Sequence, residues 1–220
     1  LLMPNKSRFI IWGASGHSKV IKDMIEMSQG EIIAMFDNNK NIQSFSPDIP
    51  LYCCEKGLYI WRGQFDSVEG IRAIIAIGGS KGADRIKIAK NLLMVGLSLP
   101  IIQHPTASIS RSAEFGKGCQ FLANSVVAAD VRMGDVCIIN HGAIVDHECH
   151  LGNGVHIAPG ATLCGCVGVG DNTMIGAGAV ILPRINIGRN VVVGAGSIVT
   201  KSISDYQIVA GNPARKIKNE

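Results

Sequence analysis

At 220 residues the chain is long enough for two modest domains. Its net charge of +4 and pI near 8.7 are too mild to predict a nucleic-acid partner, while acidic ligands such as nucleotides or coenzyme A stay open. No apolar run approaches the roughly 18 residues of a membrane span and no signal-peptide core precedes residue 8, so a cytoplasmic protein without membrane insertion is expected. Leu1 and Leu2 read as start-site leftovers, and seven cysteines without framework spacing fit a reducing compartment.

In chain order, RFIIW (8–12) reads as a strand and 17–28 as a helix with Val20, Ile21, Met24, Ile25 and Met27 on its apolar face. The turn between them, GASGHSK (13–19), carries only Gly13 and Gly16 of a three-glycine dinucleotide fingerprint. EIIAMFDN (31–38) reads as a second strand, 44–51 with Pro47 and Pro50 as loop, and Cys53–Cys54 as part of loop-like sequence. IRAIIAIGG (71–79) is a third strand and 81–95 a helix with Ile86, Ile88, Ala89, Leu92 and Leu93 inward. Strands alternating with helices imply a small parallel α/β sheet of Rossmann-like units. LPIIQHPTASI (99–109) leads out of it, which sets the domains at 1–105 and 106–220.

From Ile109 every sixth residue is apolar, sixteen times without a break to Val199. With about half of residues apolar in ordinary chains, chance produces such a run about once in tens of thousands of trials. The fifth place of each hexad is small or β-branched, from Ala113 to Ile203. A six-residue period suits a parallel β-helix in which each hexad is a short strand plus a corner and three hexads close one coil. The first place then points inward, and the third and fourth lie outward at the corners.

On that frame His147 and Glu148 hold the third and fourth places after Val145, so a carboxylate stands ready to orient an imidazole. Gly165 follows 18 residues later, one coil along at the same corner. With strands about 4.8 Å apart, its N–H is within reach of a group held beside His147. A base next to an unhindered backbone donor is what acyl transfer needs. A lone histidine on a β-helix is more often surface decoration, and His141 and His147 fall on different corners, so no metal site is expected. Cys119, Cys137 and Cys149 sit at the inward fifth place, and the Cys164–Cys166 pair has no second ligand cluster to make it more than filler.

DHECHLGNGVHIAPGATLCG (146–165), with GASGHS near the start, HPTA (104–107) and the closing GNPARKIK (211–218), resembles the sugar-nucleotide-modifying acetyltransferases of the hexapeptide-repeat family. This family includes UDP-4-amino-sugar N-acetyltransferases and sialic acid O-acetyltransferases. The resemblance implies a left-handed parallel β-helix behind the Rossmann-like domain, a homotrimer, and acetyl-CoA as co-substrate. It puts the general base on His147, the acid that supports it on Glu148, and the oxyanion donor on Gly165. Coenzyme contacts fall on His156, Gly165, Ala177 and Ala195, and if the last two are backbone contacts the alanine side chains there matter little. The acceptor, a nucleotide-linked amino sugar for bacterial surface glycan synthesis, is expected at Gly13, Ser15, Gly16, His17, Asp37, Asn38 and Gly78. These sites follow parallel strands, where open α/β sheets bind ligands, and no long loop interrupts the repeats to supply others. A nicotinamide oxidoreductase and a non-catalytic scaffold are the competing classes, and O-acetylation of a sialic acid or other sugar the competing reaction.

Overall fold

The computed structural model describes residues 6–217; Leu1, Leu2 and Lys218 of the closing stretch lie outside them. The chain divides into two compact units: residues up to Ile77 together with Lys87–Pro100, and Gly78–Ile86 together with residues from Ile101 onward. The repeat unit thus begins at 101 rather than 106, and it claims a segment, 78–86, that the sequence assigned to the first domain.

In the first unit, β1 (Arg8–Trp12), β2 (Glu31–Asp37), β3 (Leu51–Cys53) and β4 (Ile71–Ile75) form a parallel sheet in the order β3-β2-β1-β4. β3 was not expected, nor was α2 (Cys54–Arg62), which follows it directly. The other helices are α1 (Gly16–Met27) and α3 (Gly82–Met94), of which residues from Lys87 onward belong to this unit. Ile10, Ile11, Ala34, Met35 and Phe36 are fully buried, each large aliphatic among them contributing ~1.5–3 kcal/mol. α1 adds Ile21, Met24 and Ile25 to this core. Trp12 stacks on Phe36 at 5.4 Å, and Trp61 of α2 meets Phe36 edge-on at 5.7 Å. These rings explain why 54–62 is helical despite Gly57: Leu58 and Trp61, three apart, face the sheet together. Met27 and Leu93, expected inside, are exposed.

The second unit is a three-faced parallel β-helix, with sheets of five, eight and six strands. Strands of two residues pair at a spacing of 18, as in Ile139 with Ile157, Val145 with Leu163 and Leu151 with Val169. The first-place residues from Phe121 to Val199 are buried, with Ile109 and Phe115 partly so. A coil starts one hexad before the apolar run: Ile102–Gln103 pairs with Gln120–Phe121, so a polar Gln103 holds the first place. At the far end the spacing shortens to 16, pairing Val193 with Val209, and Arg215–Lys216 then runs antiparallel to Val209–Ala210.

The corners follow a rule that the apolar pattern conceals. Every fourth-place residue from Gly118 to Gly196 has positive φ, including Val136 (52°), Glu148 (58°), Cys166 (61°) and Arg184 (61°). One left-handed residue per hexad turns the chain from face to face, a conformation that costs non-glycine residues roughly 1–2 kcal/mol.

Segment 78–86 is held by Arg85, which is fully buried. Its Nε donates to the Val136 carbonyl at 3.1 Å, and Nη2 donates to the Gly154 carbonyl one coil away. Burial pulls the guanidinium down to about 10. Gly82 approaches so closely that a Cβ there would lie 2.5 Å from the Gly154 carbonyl oxygen.

Candidate active site

The corner after Ile144–Val145 carries His147 and Glu148 in the third and fourth places. Their backbone is fixed from both sides: Glu148 N–H donates to the Ala129 carbonyl at 2.9 Å, and Cys166 N–H donates to the His147 carbonyl at 2.9 Å. Asp146 Oδ1 accepts the His147 N–H at 2.8 Å. The left-handed turn at Glu148 brings its carboxylate back to the preceding imidazole, with Nδ1 2.9 Å from Oε2. An anionic acceptor there selects the Nδ1–H tautomer and leaves the lone pair on Nε2. Both side chains are exposed.

Gly165 lies against the same imidazole ring. A Cβ on Gly165 would stand 2.5 Å from Nε2 of His147 and 2.6 Å from Cε1. Among the described residues nothing accepts a hydrogen bond from the Gly165 N–H, while its carbonyl takes Arg184 N–H at 3.0 Å. An imidazole nitrogen with a free lone pair and an open backbone donor therefore share one corner. Cys166 Sγ lies 3.7 Å from Glu148 Oε2. The ligand atoms of His147, Glu148 and Cys166 fall within 4.8 Å of one another, a grouping that does not involve His141.

The other expected coenzyme residues are placed elsewhere. His156 is buried at 5% exposure on an adjoining face. Its Nε2 is 3.1 Å from Asn140 Nδ2, and its Nδ1 is 3.3 Å from the Gly79 carbonyl. Asn140 Oδ1 accepts the His141 N–H at 2.8 Å, so its amide group must face His156. His156 is thus held as the neutral Nδ1–H tautomer. Asn140 escaped the sequence reading; its signal is a polar side chain right after an inward isoleucine, in the coil below His156. Ala177 and Ala195 are exposed on the corner of His141, linked by Gly196 N–H to the Ala177 carbonyl at 2.8 Å. They do not share the corner of His147 and Gly165.

In the first unit the glycine turn lies where β1 and β2 end. Gly13, at φ 114°, donates to the Phe36 carbonyl at 2.6 Å, and a Cβ on it would run into the Ala76 carbonyl. Asp37 Oδ2 accepts the Ala14 N–H and Oδ1 the Asn39 N–H, each at 2.8 Å. Ser15 caps α1 without a side-chain bond, and a Cβ on Gly16 would meet nothing within 4 Å. Gly13, Ser15, Gly16, His17, Asp37 and Asn38 thus cluster at adjacent strand ends, His17 partly exposed. Gly78 belongs instead to the β-helix unit, where a Cβ on it would lie 3.7 Å from His156 Cε1.

Together these features define an acyltransferase built on a left-handed hexapeptide β-helix, with a histidine and a carboxylate at one corner. Residues 8–92 match the PglD N-terminal domain, and 167–201 match the bacterial transferase hexapeptide (six repeats). The acetyltransferase domain of PglB from Neisseria gonorrhoeae FA1090 is 30% identical over 96% of this chain and 100% of its own, with a TM-score of 0.84. That domain is also solved in complex with acetyl coenzyme A. PerB from Caulobacter crescentus, in complex with CoA and GDP-perosamine, is 31% identical over 96% of this chain and 97% of its own, with a TM-score of 0.85. A comparison with curated proteins found no match. The chain belongs to the sugar-nucleotide-modifying acetyltransferases of the hexapeptide-repeat family. Among the described residues no helix is long and apolar enough to cross a membrane.

Proposed function

We propose that this acetyl-CoA-dependent sugar acetyltransferase acetylates the amino group of a nucleotide-linked amino sugar, a UDP-4-amino-4,6-dideoxy sugar, in surface glycan synthesis. The observation that carries the mechanism is the packing of Gly165 against Nε2 of His147. His147 Nε2 takes a proton from the attacking amine while Glu148 stabilises the resulting imidazolium through Nδ1. Gly165 N–H donates to the oxyanion that forms when nitrogen adds to the thioester carbonyl. Collapse of the adduct breaks the C–S bond, and the proton held on His147 passes to the departing coenzyme A thiolate. No acyl-enzyme is needed, and Cys164 and Cys166 serve no nucleophilic role.

The acceptor's nucleotide lies at the glycine turn, with Ser15, Gly16 and His17 on one side and Asp37 and Asn38 on the other. The coenzyme lies along the prism. It meets His147 and Gly165 at one corner of one copy, and Ala177 and Ala195 at a different corner. One ligand running parallel to the axis reaches both sets when a second copy supplies the second corner, which supports a homotrimer with a coenzyme groove between subunits. His156, pinned by Asn140 and Gly79, keeps the adjoining face rigid toward the thioester.

GDP-perosamine bound in PerB favours a second reading in which the acceptor carries GDP. Release of free thiol from acetyl-CoA, measured with UDP- and GDP-linked amino sugars in parallel, decides between them. Full turnover of a His147→Ala variant in that assay would falsify the assigned base.

A further inference from the structure

Cys53 and Cys54 stand at the junction of β3 and α2, and acetyl transfer makes no use of them. Their sulfurs are 2.9 Å apart, with Cys53 exposed and Cys54 partly so. Successive side chains of a strand normally point to opposite faces. Here Cys53 is extended (φ −98°, ψ 131°) while Cys54 turns to φ 57°, a conformation that costs a non-glycine residue energy. That turn swings the second thiol onto the side of the first. Cys54 Sγ also lies 3.5 Å from the Asn38 carbonyl, and Cys53 pairs in register with Asp37, whose carboxylate holds the Ala14 N–H.

We propose that Cys53–Cys54 is a reversible modification site, a vicinal dithiol that closes to a disulfide by exchange with a small-molecule disulfide. The thiolate of one cysteine attacks a disulfide RS–SR, forming a protein S–SR bond and expelling RS⁻. The second cysteine gives up its proton and attacks the protein-bound sulfur, forming the Sγ–Sγ bond and expelling the second RS⁻. Two protein thiols are oxidised, and one RS–SR is reduced to two RSH, which carry the two protons.

Geometry favours both directions of the exchange. The sulfurs need close only from 2.9 Å to the covalent distance of about 2.05 Å. Adjacent Cα atoms are about 3.8 Å apart, however, below the ~4.4–6.8 Å of ordinary disulfides, so the closed ring is strained and easily reduced. Cys119, Cys137 and Cys149 are buried in the β-helix and lack this access.

The test equilibrates the full chain with graded ratios of reduced and oxidised glutathione, alkylates the remaining thiols, and weighs the peptide containing both residues. In the wild type that peptide becomes lighter by two hydrogens, takes up no alkyl group, and reverts when reduced glutathione is in excess. Cys53→Ser and Cys54→Ser each accumulate a glutathione mixed disulfide on the remaining sulfur instead. A wild-type peptide alkylated twice at every ratio, or carrying glutathione itself, overturns the proposal. So does a disulfide that forms only as the far-UV circular dichroism of the folded chain is lost.

Discussion

Gly165 and His147 meet where no side chain has room: a methyl group built on Gly165 stands 2.5 Å from Nε2 and 2.6 Å from Cε1. The φ of Gly165 is not in the left-handed region, so backbone freedom is not what demands glycine there. Gly165→Ala is expected to fold normally and to push the exposed imidazole off Glu148. Misplacing a reacting group by about 1 Å costs roughly a hundredfold in rate. A drop of that size in kcat, with an unchanged Tm, is the expected result of steady-state kinetics and thermal melting.

Glu148 Oε2 is 2.9 Å from Nδ1 of His147, and in the proposed mechanism it acts through that contact. Glu148→Gln keeps the shape and loses the charge that favours imidazolium, so kcat should fall between about ten- and a hundredfold. Because the two residues work as one unit, Glu148→Gln added to His147→Ala should cost little more than His147→Ala alone. Additive losses in that cycle would separate the two roles.

The two glycines of the first turn should respond differently. Gly13 combines φ 114° with a carbonyl in the way of any Cβ, so Gly13→Ala should destabilise by more than about 2 kcal/mol in urea unfolding. A Cβ on Gly16 meets nothing in the protein, so Gly16→Ala should change stability by less than about 0.5 kcal/mol. If the turn holds the acceptor, Gly16→Ala still raises the acceptor KM several-fold while the acetyl-CoA KM stays put.

Arg85 satisfies carbonyls of Val136 and Gly154, two successive left-handed turns of one corner. Arg85→Ala leaves them buried and unpaired, at a cost of about 3 kcal/mol. Denaturant unfolding should register this loss, and Arg85→Lys should recover only part of it, because a point charge cannot follow the fork of a guanidinium.

What the sequence disclosed depended on whether the cause was local or repeated. Sixteen apolar first places announced the β-helix because every coil must bury the same inward residue on its neighbours. His147, Glu148 and Gly165 could be assigned to one corner by counting alone, since the chain keeps an unbroken spacing of 18 there. The left-handed fourth places were harder to see because Val136, Arg184 and Glu148 are not residues that advertise positive φ. β3 is three residues behind two prolines, and α2 starts at a cysteine and contains a glycine; aromatic packing against Phe36 and Trp61 overrides those weak signals. The attachment of 78–86 rests on an arginine reaching carbonyls 51 and 69 residues away, which no periodicity encodes. The burial of His156 follows from that same attachment.

The shortened final coil has a consequence for assembly. Identical coils stacked at a constant spacing leave, at the last rung, a row of unpaired amides and carbonyls ready to template another chain. Here the spacing drops from 18 to 16, and Arg215–Lys216 reverses direction across Val209–Ala210, so this edge of the eight-stranded sheet pairs antiparallel and offers no continuing parallel register. The reversed strand thus occupies the Val209–Ala210 edge that a further parallel strand would otherwise use.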